Sequence, residues 1–131
     1  MNIYEERVRR LQALMDEKGV DGYMILTEPD YRYFIGEYRH QPRAFIPRRG
    51  NPVIIAFEGE LEEIRSSSWV GDVRTFRSVT EMMRRIHDLI REMGCEEGTV
   101  AVELFFNTPA FLLERFRRVT PRMKIVNSKE I

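Results

Sequence analysis

Residues 31–45, YRYFIGEYRHQPRAF, gather five aromatic side chains, three arginines and one of the chain's two histidines. Arginine presents a planar fork that pairs with a carboxylate through two parallel hydrogen bonds, so this stretch suits recognition of an anion. Aromatics interleaved with arginines also suit stacking on bases beside a neutralised phosphate. The flanking charges allow a plainer reading. From Tyr31 to Arg49 five arginines stand against one glutamate, and from Gly50 to Ile64 the residues Glu58, Glu60, Glu62 and Glu63 return four negative charges. The two segments can neutralise each other across a surface, in pairs that contribute little when exposed.

Elsewhere the sequence offers little chemistry. It has no G-x-x-x-x-G-K-[ST] phosphate loop, no G-x-G-x-x-G after a strand, no G-x-S-x-G elbow and no H-E-x-x-H helix. With two histidines and one cysteine, a metal site would have to be built from carboxylates. The acidic clusters GELEE and CEEG fall on helix ends and loops, where solvated charge is the better account. His87 lies beside the apolar stripe of its helix, a boundary position. Cys95 follows a helix C-terminus, where the dipole disfavours a thiolate, so it is a poor nucleophile.

The 131 residues suit one domain that buries roughly two-thirds of its unfolded surface. The formal charge is zero, which argues against nucleic acid and anionic membranes as partners. No apolar run approaches the roughly 20 residues needed to span a bilayer. The opening YEERVRRLQALMDEKG is charged throughout and is no secretory signal. A lone Cys95 rules out an internal disulfide and suits a reducing, cytoplasmic setting.

The elements that would carry the stretch alternate in type. Residues 4–18 predict a helix with Val8, Leu11, Leu14 and Met15 on one face, closed by Gly19. A buried strand YMIL follows, then a short helix through TEPDYRYFIG with Pro29 in its first turn. RAFIP and PVIIAF flank RRGN as a hairpin, and Pro47 and Pro52 predict that one of these strands lies at an edge. GELEEIRSSSW predicts a helix and VRTF a strand. Ser78 and Glu81 form a capping box before Met82, Met83, Ile86, Leu89, Ile90 and Met93, whose methionines read as core. TVAVEL predicts a strand, Thr108 and Pro109 start a helix carrying Leu112, Leu113 and Phe116 inward, and KIV ends the sheet. The pattern predicts a single α/β layered domain, with a mixed central β-sheet flanked by helices.

The order of these motifs resembles the N-terminal domain of the creatinase/prolidase family of Xaa-Pro dipeptidases and aminopeptidases. Arg7, Leu11, Met15, Gly19 and Asp21 match its R-x-x-x-L-x-x-x-M-x-x-x-G-x-D-A segment, and Pro29, Tyr33 and Gly36 match S-P-x-N-x-x-Y-L-T-G-F. Asp30 stands where that family usually has Asn, Ile35 replaces a Thr, and Glu37 replaces an aromatic. The resemblance covers about Tyr4 to Ile131. It implies that residues 1–131 are an N-terminal domain without catalytic residues or metal ligands of its own. The C-terminal pita-bread domain, absent from this chain, would hold two divalent ions of the Mn or Co class. It also implies a homodimer in which the loop Glu37–Phe45 reaches toward an active site, so that Tyr38, Arg39, His40, Arg43 and Phe45 border substrate or a neighbouring subunit. A stand-alone module binding a small anion or peptide carboxylate is the alternative, and nucleic-acid binding is the weakest reading.

Overall fold

The computed structural model describes residues 2–104, 108 and 110–130. Helix α1 (Ile3–Lys18) starts where the Asn2 side chain accepts the Glu5 N–H at 2.8 Å and stops at Gly19, whose φ of 70° is left-handed. It buries Val8, Leu11 and Met15, but Leu14 stays 41% exposed, contrary to its expected place on the inward face. Leu14 sits about 100° around the helix from Met15 and faces solvent. Gln12 is buried instead, because its Nε2 donates to the carbonyls of Pro47 (2.9 Å) and Gly50 (2.7 Å).

After α1 the chain runs through β1 (Gly22–Ile25), α2 (Glu28–Phe34), β2 (Ala44–Pro47) and β3 (Val53–Phe57). A 3-10 turn leads into α3 (Leu61–Ser67), followed by β4 (Val73–Phe76), α4 (Val79–Glu92) and β5 (Thr99–Val102). Helix α5 (Ala110–Val119) and β6 (Lys124–Asn127) complete the domain. Phe116 of α5 is buried while Leu112 and Leu113 are half-buried, and Pro109 lies outside the described residues. Ser78 Oγ accepts the Glu81 N–H at 3.1 Å, which is half of the expected capping box. The Glu81 carboxylate turns toward Arg85 (3.9 Å).

The strands form one mixed sheet in the order β4-β3-β2-β1-β5-β6. Only β2 runs antiparallel to its neighbours, so the carboxyl ends of the other five strands share one edge with the start of β2. β1 and β2 are buried at every position, as expected for strands covered on both faces. Helices α1, α2 and α3 cover one face, over Val8, Met15, Tyr31, Ile46 and Ile64. Helices α4 and α5 cover the other, over Met24, Phe45, Ile86, Leu89 and Phe116.

Neither hairpin strand is at an edge, which corrects the inference from the two prolines. The Arg48 N–H donates to Asp21 O on the β1 side, so by alternation Pro47 turns its missing N–H toward the β3 side. There the β2–β3 register pairs only Ala44 and Phe45, so no ladder bond is lost. Pro52 stands just before β3 begins.

Candidate functional site at the carboxyl edge of the sheet

In open α/β sheets ligands sit outside the carboxyl ends of the strands, where loops diverge. Here that edge carries a cleft of about 580 Å³. One wall is the β1–α2 junction, with Leu26, Thr27 and Glu28. A second wall is the loop segment His40–Arg43. Phe76, Val79 and Met82 bring in the β4–α4 turn, and Phe111, Leu112 and Arg115 close the far side from α5. Below it, Arg43 and Arg115 also border a void of about 20 Å³ among Met82, Met83, Ile86 and Phe116.

The five loop residues separate. His40 and Arg43 line the cleft, and Tyr38 is 58% exposed beside them in sequence. Phe45 is fully buried within β2, where its ring covers Gly22 so closely that an added Cβ would sit 2.2 Å from it. A rim position for Phe45 is therefore corrected to a core position. Arg39 also turns inward, with only 9% of its side chain exposed. Its guanidinium lies 2.9 Å from Glu63, 3.3 Å from Glu60 and 3.5 Å from Glu37. Burial works to lower the Arg39 pKa, but the Glu37 charge and the bonds the guanidinium donates to Glu63 and Glu60 together raise it above its ordinary value.

This cluster gives the neutralisation reading its physical form, and it means that GELEE is not merely solvated charge. Glu37 accepts from Tyr31 Oη at 2.9 Å and from Ser67 Oγ at 2.5 Å, so the carboxylate ties α2, the loop and α3 together. Burial and the Glu37 charge push the Tyr31 hydroxyl above the usual phenol range. The other arginines find different acids. Arg48 and Arg49 pair with Asp16 (2.8 and 3.1 Å), and Glu58 is taken by Arg77.

Among the described residues Arg43 has no such partner. It donates to Gln41 O (3.1 Å) and Gln41 Oε1 (3.3 Å), and its guanidinium lies 5.2 Å from the Phe76 ring centre. Burial lowers its pKa, the Glu60 charge works against that, and the Arg115 charge adds to the lowering. No motif singles out Phe76 or Arg115, which reach the cleft from distant segments. Only the shared edge of the parallel strand ends could have pointed to them.

A second polar cluster lies near the same edge. Tyr23 Oη donates to Asp30 Oδ2 at 2.9 Å. Burial raises the Asp30 carboxyl above its ordinary range, the Tyr23 bond works against that rise, and Glu103 adds to it. Cys95 is buried, and desolvation with the nearby Asp21 charge pushes its thiol up to about 11. The low reactivity foreseen for it thus comes mainly from burial. His87 is half-buried, with Asp88 at 3.4 Å and Glu96 at 3.6 Å. Among the described residues no three His, Cys, Asp or Glu side chains are placed to hold a metal ion, so these residues do not fit a divalent pair. No described helix is long and apolar enough to cross a membrane.

The profile of the Creatinase/Prolidase N-terminal domain matches residues 7–131. Among solved structures, the chain superposes on a prolidase from Thermococcus sibiricus with a TM-score of 0.83 at 17% identity, covering 100% of this chain and 36% of that one. An Xaa-Pro dipeptidase from Bacillus anthracis gives 0.80 at 14% identity, over 95% of this chain and 33% of the other. An Xaa-Pro aminopeptidase structure from Streptococcus pyogenes gives 0.80 at 13% identity, over 96% and 92%. The chain thus spans about a third of the first two and nearly all of the third. These superpositions establish the shared fold. No curated protein sequence matches the chain.

Proposed function

The chain belongs to the creatinase/prolidase N-terminal domain family, and from that premise we propose that it is the non-catalytic N-terminal domain of a Xaa-Pro peptidase-like hydrolase of the cytoplasm. Its role is to border an active site held by a C-terminal pita-bread domain, and to take part in a homodimer. The observation that carries this reading is the extent of the match, from Arg7 to the last residue, on a fold shared with prolidases. The two divalent ions of the Mn or Co class would belong to the other domain, where they would supply a metal-activated hydroxide.

What this chain contributes is position. The Arg39 cluster fixes the root of the loop, leaving Tyr38 and His40 exposed beyond it. From there Tyr38 can lie against a proline ring, and His40 can hydrogen-bond a substrate oxygen. Phe57, Val79 and Phe111, each about half exposed at the same edge (49%, 51% and 57%), suit coverage by another protein surface. The purified 131-residue chain, given manganese and a Xaa-Pro dipeptide, is expected to show no hydrolysis. Turnover by this chain would place the catalytic groups inside it and overturn the assignment.

A further inference from the structure

We propose that the carboxyl-edge cleft is itself a binding site for a carboxylate attached to an apolar body, gripped between Arg43 and Arg115. This site needs no second domain, so it stands or falls separately from the peptidase reading. Four of the five arginines between Tyr31 and Arg49 have a carboxylate within ion-pair distance: Arg32, Arg39, Arg48 and Arg49. Arg43 is the exception, with only the neutral Gln41 as hydrogen-bond partner. Arg115 has no ion pair either among the described residues and lies 5.6 Å from the Phe111 ring centre. Glu60, whose charge also acts on Arg43, and Glu28 each have an arginine partner of their own. Glu28 on the cleft wall has Arg32 at 2.5 Å, and Glu60 has Arg39 at 3.3 Å.

Two guanidiniums on facing walls, each stacked on an aromatic ring, would repel one another without an anion between them. A carboxylate supplies one oxygen to each fork. Beside the polar Thr27, Glu28, His40 and Gln41, the cleft offers apolar surface from Leu26, Phe76, Met82 and Leu112, with Ile86 and Phe116 below it. An inorganic anion would leave that surface uncovered, whereas a branched aliphatic chain would fill it. The same chemistry is offered by a free aliphatic acid and by the C-terminal residue of a peptide.

The test is titration of the isotope-labelled 131-residue chain with isocaproate, N-acetylleucine and isocaproamide, following the amide resonances of Met82, Ile86, Leu112 and Phe116. Both acids are expected to saturate the same resonances, and the amide to bind weaker by about tenfold or more. Tighter binding of N-acetylleucine than of isocaproate assigns the site to peptide C-termini, and the reverse order assigns it to free acids. Arg115→Gln, at an exposed position that tolerates change, is expected to weaken both acids by a similar factor. Arg43→Gln should do the same, with spectral dispersion reporting that it still folds. Equal binding of acid and amide, no saturable shift at those four residues, or full affinity in Arg115→Gln would each overturn the proposal.

Discussion

Arg39 and Asp30 show how far a residue's surroundings decide its role. Arg39 reads in the sequence as one of several interchangeable cations, yet its side chain is nearly enclosed among Glu37, Glu60 and Glu63. Glu60 and Glu63 are 34% and 72% exposed, so their pairs add little, whereas Glu37 is only 10% exposed and depends on its cation. Arg39→Met is therefore expected to cost about 2–3 kcal/mol in urea unfolding, because it strands a buried carboxylate. A cost below about 1 kcal/mol would reduce the cluster to ordinary surface pairs. Asp30 presents the opposite case. Its buried carboxyl has a raised pKa, so the native state binds more protons than the unfolded state and stability falls as pH rises. Asn at this position, the residue usual in the resembling family, keeps an acceptor for the Tyr23 hydroxyl without the charge. Asp30→Asn should thus be more stable than the parent at neutral pH. The gap should open as pH rises from the unfolded carboxylate value of about 4 and level off above Asp30's raised value. A gap independent of pH between acid and neutral solution would show that the charge does not matter.

At the scale of elements, most of the fold was legible because caps and periodicity act locally. Gly19 and Ser78 mark helix ends through bonds to residues within three or four positions. Of the α4 stripe, Met82, Ile86, Leu89 and Ile90 are buried as the spacing required, while Met83 and Met93 are half-buried against that core. What failed depended on contacts distant in sequence. Leu14 faces solvent, and Gln12 is buried because it reaches carbonyls more than thirty residues away. The prolines suggested an edge because sequence does not say which side of a strand its missing N–H faces. Of the two edge strands, β4 and β6, the first is guarded by other means, with Arg85 Nε donating to the Thr75 carbonyl at 3.1 Å. The pairing of β1 with β2 rests on a close fit, in which the Phe45 ring occupies the space a side chain at Gly22 would need. Gly22→Ala is expected to destabilise by about 1–3 kcal/mol through overpacking. Combining it with Phe45→Leu should recover part of the loss in a double-mutant cycle. Strict additivity of the two changes would show that the ring and the glycine are not coupled.

Across the whole molecule, the site was harder to read than the fold. The Arg/aromatic stretch drew attention in sequence, but its residues diverge: Phe45 into one core, Arg39 into an ionic clasp, and His40 and Arg43 into the cleft. The partners that complete the cleft, Phe76 and Arg115, come from β4 and α5 and are gathered only by the parallel run of the strands. That arrangement yields an edge rich in apolar and cationic side chains, while the described residues lack a metal-holding group. The proposal is that this domain presents a surface to chemistry carried out in another domain. The most direct test is to sequence the coding region beyond the codon for Ile131 together with its neighbouring genes. The account predicts a domain supplying two aspartates, a histidine and two glutamates as metal ligands. A stop codon at that point, with no such domain encoded alongside, would contradict it.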